Sequence, residues 1–191
     1  MKDRTKIVLD ADVIIHFSKG GHLKILPEIF PEYDFIVLSK VYEELELQLK
    51  KELNNIIKFF KSISIIDFNP SDDILHEYSQ LIKRFGKGES SCMAYCRYTK
   101  DVVGSSNLKD IAEYCDKNNI THLGTMDFLY YAIWREKLTL EQVNDFVTEV
   151  KAKGSKLPDI DFENYHPVQK IDLPYLRDYC GLSERRYAPD R

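Results

Sequence analysis

Residues 6–17 read KIVLDADVIIHF, and the fold turns on how this stretch is read. Ile7, Val8 and Leu9 form a short continuous apolar run, the mark of a buried strand. Asp10 and Asp12 follow at once, and Val13, Ile14 and Ile15 then return to apolar chain. Two carboxylates therefore stand between two segments that must both be buried. A buried charge is costly unless it is paired or bound to a metal. Either a neighbouring side chain or a cation has to satisfy these groups.

Similar runs recur along the chain. Strands are expected at Lys6–Leu9, Asp34–Leu38, Val102–Val103 and Thr121–Leu123, with a further candidate at Ile63–Phe68. Helical patterns alternate with them, among them residues 39–60 and the stretches beginning at Gly88, Asn107, Thr125 and Thr139. Strands separated by helices predict an α/β fold with a mostly parallel sheet. The texture changes after Gly154, where Pro158, Pro167, Pro174 and Pro189 interrupt any periodicity. The division expected is a domain over 1–153 and an irregular C-terminal arm over 154–191. The arm carries Leu157, Ile160, Phe162, Tyr165, Ile171, Leu173, Tyr175, Leu176, Tyr179 and Leu182. That is too apolar for free disorder, so the arm is expected to pack on the domain.

The 191 residues suffice for one domain with a real core. With 43% hydrophobic and 30% charged residues, the composition is that of an ordinary soluble protein. The net charge of -4 supplies no overall basic excess, so any nucleic-acid contact must be local. Cys92, Cys96, Cys115 and Cys180 show no zinc spacing. Cys92 and Cys96 lie four apart, too far on one helix for an unstrained disulfide. Reduced thiols and a cytoplasmic location are expected. The first residues hold no long apolar run, and no stretch approaches membrane-helix length, so neither a signal peptide nor a membrane is expected.

Other carboxylates border apolar stripes. Val41, Leu45 and Leu49 recur at helical spacing, with Glu44 on one border and Glu46 on the other. The pattern does not choose between them, although Glu44 lies nearer the end of the preceding strand. Glu89, Met93 and Cys96 share a face in a helix that begins after Gly86 and Gly88. Glu89 there also suits the positive end of the helix dipole. Strand ends and helix starts meet at the carboxyl edge of an open parallel sheet, where ligands bind. Converging carboxylates stay ionised in a dry cleft only with a cation, and hard oxygen ligands suit Mg²⁺ or Mn²⁺. Asp10 is then a candidate metal ligand, and Asp12 either supports it or caps the following helix.

At these residues the chain resembles the PIN domain. The likeness rests on IVLDADVII, VYEEL, GES and GTMDFLYYA, taken in order from about Lys6 to Lys153. It implies a three-layer α/β/α fold and a metal-dependent endonuclease, usually acting on RNA. Many members of that family are toxins of toxin–antitoxin pairs, and others process ribosomal RNA. RNA, an antitoxin protein and a second copy of the chain are the partners expected on this likeness. Asp10, Glu44 and Glu89 take the family's first three acidic positions, which decides for Glu44 over Glu46.

One departure stands out. Where the family commonly carries one or two Asp residues, this chain has Ser105, Ser106 and Asn107. They offer oxygen or hold water but bring no charge. Asp127 opens a later helix and is read either as a further metal ligand or as a helix-start acid. Lys83, Arg84 and Lys87 precede Glu89 and are candidate phosphate contacts or plain solvated surface. Arg185, Arg186 and Arg191 read as ordinary surface, and the aromatics of FLYYAIW read as core. The five histidines lack the spacing of a zinc hydrolase, and Ser90 and Ser91 lack the serine-hydrolase elbow. The competing reading is a non-catalytic PIN-like module that binds RNA or a protein. The missing acid favours that alternative and the three retained acids oppose it.

Overall fold

The computed structural model describes residues 4–167 together with Gln169 and Ile171. Cys180, the arginines near the C-terminus, and Leu173, Tyr175, Leu176, Tyr179 and Leu182 of the arm lie outside the described residues.

The apolar runs form a five-stranded sheet in which every neighbouring pair is parallel. Its strands are β1 (Lys6–Leu9), β2 (Asp34–Leu38), β3 (Ile63–Ile66), β4 (Val102–Gly104) and β5 (His122–Leu123), arranged in the order β3-β2-β1-β4-β5. The further candidate strand is therefore real, though it stops at Ile66. Beyond it the Phe68 N–H leaves the ladder and donates to Ser39 Oγ at 2.9 Å. Ile7, Val8 and Leu9 in the central strand have no exposed surface, as a strand covered on both faces requires.

Helices flank the sheet in an α/β/α arrangement. They are α1 (Ala11–Lys19), α2 (Leu26–Ile29), α3 (Ser39–Glu44), α4 (Leu47–Phe60), α5 (Asp72–Leu81), α6 (Lys87–Thr99), α7 (Leu108–Lys117), α8 (Thr125–Trp134) and α9 (Leu140–Ala152). From β1 the chain first steps outward through β2 to β3, then crosses back to β4 and β5 on the other side. Right-handed crossovers place the helices of the two excursions on opposite faces. Accordingly α1, α8 and α9 pack together with α2, whereas α5, α6 and α7 form a second group that meets the sheet through α6. Phe17 and Phe30 both pack edge-on against Phe128, and Phe17 does the same against Phe146. Phe128, Leu129, Tyr130, Tyr131 and Ala132 are all buried, so FLYYAIW is largely core.

The pattern over 39–60 is not one helix. Leu45 and Glu46 are extended, and the chain restarts as α4 with Glu46 at the cap. No Gly or Pro marks this break. Its reason is tertiary: Leu45 is buried, and Glu44, as the last residue of α3, reaches Gly88 at the start of α6. Packing overrides local helix propensity here.

The described part of the arm lies against the domain. Phe162 and Ile171 are buried, and the Tyr165 hydroxyl donates to Asp127 Oδ1 at 2.6 Å. Gln169 accepts the His122 N–H of β5 at 2.7 Å and donates to Asp116 at 2.9 Å.

Gly20 ends α1 under the Phe146 ring, and a Cβ there would collide with three ring atoms, Cγ at 2.9 Å among them. Its φ of -78° is open to any residue, so only space forbids a side chain. Gly20→Ala should therefore cost about 1–3 kcal/mol by overpacking. Thermal denaturation should show it as a drop of about 2–4 °C per kcal/mol; an unchanged melting temperature would mean that the ring yields freely.

Candidate active site

The order of the sheet reverses between β1 and β4, and ligands of open α/β sheets bind in the crevice beyond the strand ends at such a point. Asp10 stands there. Its backbone N–H donates to Gly104 O at 2.8 Å, stitching β1 to β4. Its side chain accepts the Ala11 N–H at 2.8 Å, so Asp10 is the N-cap of α1. Of the two readings of Asp12, support for the site or helix cap, the cap is corrected, since Asp10 fills it: Asp12 lies inside the first turn and points across the seam. Asp12 Oδ2 accepts the Ser106 N–H at 2.8 Å, and Ser105 Oγ lies 3.3 Å from it and 3.2 Å from Asp10 Oδ2. The Ser105 hydroxyl has one proton and serves one carboxylate at a time.

Glu89, in the first turn of α6, accepts from Asn107 Nδ2 at 2.9 Å. The same amide group also donates to Asp110 Oδ2 at 2.9 Å. Glu44 arrives from α3. Gly86, the cap of α6, has no side chain, and Glu44 Oε1 takes the Gly88 N–H at 2.8 Å in its place. A Cβ on Gly88 would sit 2.5 Å from Glu44 Oε2 and 3.3 Å from Val41 Cα, so α3 and α6 approach this closely only because residue 88 is Gly. Sequence spacing alone did not reveal that role.

The site is electrostatically uncompensated by protein. None of the ion pairs among the described residues involves Asp10, Asp12, Glu44 or Glu89. Burial, reinforced by the Asp12 and Glu89 charges, pushes the Asp10 carboxyl up to about 8. Burial likewise raises Asp12. It also raises Glu89, to about 7, with Asp12, Asp110 and Glu44 pressing on it. The donor set is entirely oxygen and anionic, which fits a hard divalent cation in chemistry. Its geometry is not a ready coordination shell: among the described residues, no three His, Cys, Asp or Glu side chains are gathered so as to hold an ion. The carboxylates are turned instead toward the Ser, Asn and backbone donors around them.

Asp127 does not join this group. Its Oδ2 accepts the Gly124 N–H at 2.7 Å at the start of α8, and its Oδ1 accepts from Tyr165. Burial raises its carboxyl, and the hydrogen bonds from Tyr165 and Gly124 pull it back down. Each oxygen accepts one hydrogen bond, an arrangement that suits the helix-start reading of Asp127. Lys83, Arg84 and Lys87 are exposed where the chain enters α6, with Lys83 hydrogen-bonded to Gln80 and Arg84 lying over the Phe85 ring. Cys92, Cys96 and Cys115 are buried free thiols.

Sequence reasoning missed Thr125 and His16. Thr125, the first residue of α8, donates its N–H to Ser106 Oγ at 3.0 Å and pairs hydroxyl to hydroxyl with it. His16 Nδ1 lies 2.9 Å from Thr125 Oγ1. The one available signal was the spacing of Asp12 and His16, four apart on one helix face.

Two of the comparisons with known proteins found a likeness. A family described as PIN domain matches residues 6–163. Among solved structures, the chain is similar to VapBC-1 from nontypeable Haemophilus influenzae, determined at 2.2 Å, with 15% identity and a TM-score of 0.47. That likeness covers 63% of this chain and 98% of the other. No curated protein matches.

A carboxyl whose folded pKa is raised binds more protons folded than unfolded. Its contribution to stability is therefore lost as pH rises from the unfolded to the folded value. For Asp10 that window runs from 3.8 to about 8. With EDTA present, Asp10→Asn should match wild type near the bottom of this window and melt increasingly higher than wild type toward its top. Melting curves across the range check this, and a gap independent of pH would refute the burial argument.

Proposed function

Because this chain belongs to the PIN-domain family, we propose that it is an endoribonuclease that depends on Mg²⁺ or Mn²⁺. Asp10, Glu44 and Glu89 would hold the ion, with Asp12 beside them. The observation that carries this reading is a buried carboxylate at the switch point of the sheet, pressed by two further acids and neutralised by no basic side chain. When bound, the ion supplies Lewis acidity toward a phosphate oxygen and lowers the pKa of its water. The chain's own residues do the rest. The Ser105 hydroxyl and the Ser106 N–H aim the Asp10 and Asp12 carboxylates, and Asn107 orients Glu89. Lys83, Arg84 and Lys87 add local positive charge for an RNA backbone at the entrance to α6. On the family likeness, the proposal extends to a cytoplasmic toxin with an antitoxin protein as its partner.

One observation favours a non-catalytic module instead. The acids are already satisfied by Ser and Asn donors where the family commonly adds further acid. Metal binding and cleavage decide between the two readings.

Glu44→Gln keeps volume and removes charge. Metal-dependent RNA cleavage should fall by about 100-fold or more, beyond the roughly 10–100-fold cost of losing a supporting partner. Glu43→Gln and Glu46→Gln should cut as wild type does. Cleavage that persists undiminished in Glu44→Gln, with contaminating nuclease excluded, would remove Glu44 from the mechanism.

Mn²⁺ binding to the folded chain alone stabilises it by RT ln(1 + [L]/Kd), about 2.7 kcal/mol at 100 times Kd. The melting temperature of wild type should therefore rise with Mn²⁺, and Asp10→Asn should erase the rise. Asp127→Asn should lower stability equally with and without the ion. No Mn²⁺-dependent shift in wild type at any concentration would turn the assignment to the non-catalytic module.

A further inference from the structure

We infer that His16 is a positioning residue of this site: through Thr125 and Ser106 it fixes the loop that supports Asp10 and Asp12, and thereby sets the affinity of the site for a divalent cation. The inference rests on the nuclease reading above and deepens it. His16 lies one turn beyond Asp12 on α1 and is 7% exposed. Its Nδ1 is 2.9 Å from Thr125 Oγ1, and Thr125 is itself buried at the start of α8. The Thr125 hydroxyl also meets Ser106 Oγ, which accepts the Thr125 N–H at 3.0 Å. Ser106 in turn donates its backbone N–H to Asp12 at 2.8 Å. One connected chain of hydrogen bonds thus runs from the imidazole to the carboxylates.

The loop needs such an anchor. Residues 105–107 bring no charge, so their effect on the acids depends wholly on where the hydroxyl and N–H donors point. Beyond β4, the Ser105 N–H bonds to Leu123 O at 3.0 Å, and the next lateral tie is the Thr125–Ser106 pair. An acid in this loop would act on a cation through charge even if loosely held, because Coulomb attraction falls off slowly with distance. A Ser loop has no such tolerance. Burial also keeps His16 neutral, with its pKa lowered to about 4, so the ring adds no repulsive charge beneath a cation. This arrangement is how the chain functions with Ser-Ser-Asn where its family commonly carries acid.

Mn²⁺ alone is the probe, and its affinity is read by calorimetry on the full chain, with circular dichroism confirming the fold of each variant. In His16→Asn the amide reaches the place of Nδ1 and keeps the hydrogen bond. His16→Phe keeps the packing and loses the hydrogen bond. Thr125→Val removes the same link from the other side with little change of shape. His16→Asn should bind Mn²⁺ much as wild type does, whereas His16→Phe and Thr125→Val should bind about 10–100-fold more weakly. A residue that merely fills space predicts the reverse order, with Phe tolerated and Asn not. Wild-type affinity in folded Thr125→Val, or in folded His16→Phe, would overturn the inference while leaving the nuclease reading intact. Absence of Mn²⁺ binding in wild type would overturn both.

Discussion

At the amino end of the β1–β4 seam a buried carboxylate, Asp101, accepts the Lys6 N–H at 2.8 Å and has the Lys6 ammonium 4.0 Å away. At the carboxyl end Asp10 is buried as deeply, and none of the ion pairs among the described residues includes it. Both carboxylates bracket the same pair of strands, yet only one has a cation from the protein. Leaving a charge uncompensated in a low-dielectric place is costly, and the surroundings of Asp10 reduce that cost without cancelling it. The first amide of α1 and the Ser105 hydroxyl supply dipoles where a basic side chain would supply full charge.

The rest of the molecule holds that arrangement in place. The seam is closed by the Asp10–Gly104 bond, and Gly104 admits Leu9 and Phe128 so closely that a Cβ would lie 3.2 Å from Leu9 Cδ2 and 3.3 Å from Phe128 Cζ. The aromatic group around Phe128 thus sets the spacing directly beneath the acids. On the far side, Glu44 and Gly88 lock α3 to α6 and bring Glu89 to the same edge. Polar groups at the carboxyl edge and apolar groups under it are two sides of one packing solution.

Much of this was legible in the chain. β1 and β2 coincide with their apolar runs because a strand buried on both faces needs no alternation to be seen. Placing Asp10 and Glu89 at one edge followed from their positions at a strand end and a helix start. The break at Leu45 and Glu46 left no trace, since it is fixed by a contact with Gly88 on another helix rather than by a breaking residue. The cap fell on Asp10 because that residue alone separates the strand from the helix, a boundary finer than periodicity resolves. His16, Ser106 and Thr125 stand in three separate segments, and only the parallel pairing of β4 with β1 and β5 unites them. Asp127 carried both of its meanings in the sequence, whereas the hydroxyl that its Oδ1 accepts comes from Tyr165, a distant residue no local pattern points to.

The parallel seam also has a consequence in time. Ser105 and Asp10 are 95 residues apart, and closing so long a loop costs entropy before any contact rewards it. β1, β2 and β3 are neighbours both in sequence and in the sheet, so they can pair while β4 is still missing. A nascent chain at that stage carries Asp10, Asp12 and Glu44 but neither Glu89 nor the Ser loop. The site is therefore a product of completed folding: Asp10, Asp12 and Glu44 precede the longest crossover in the sheet, Glu89 lies within it and the Ser loop follows it.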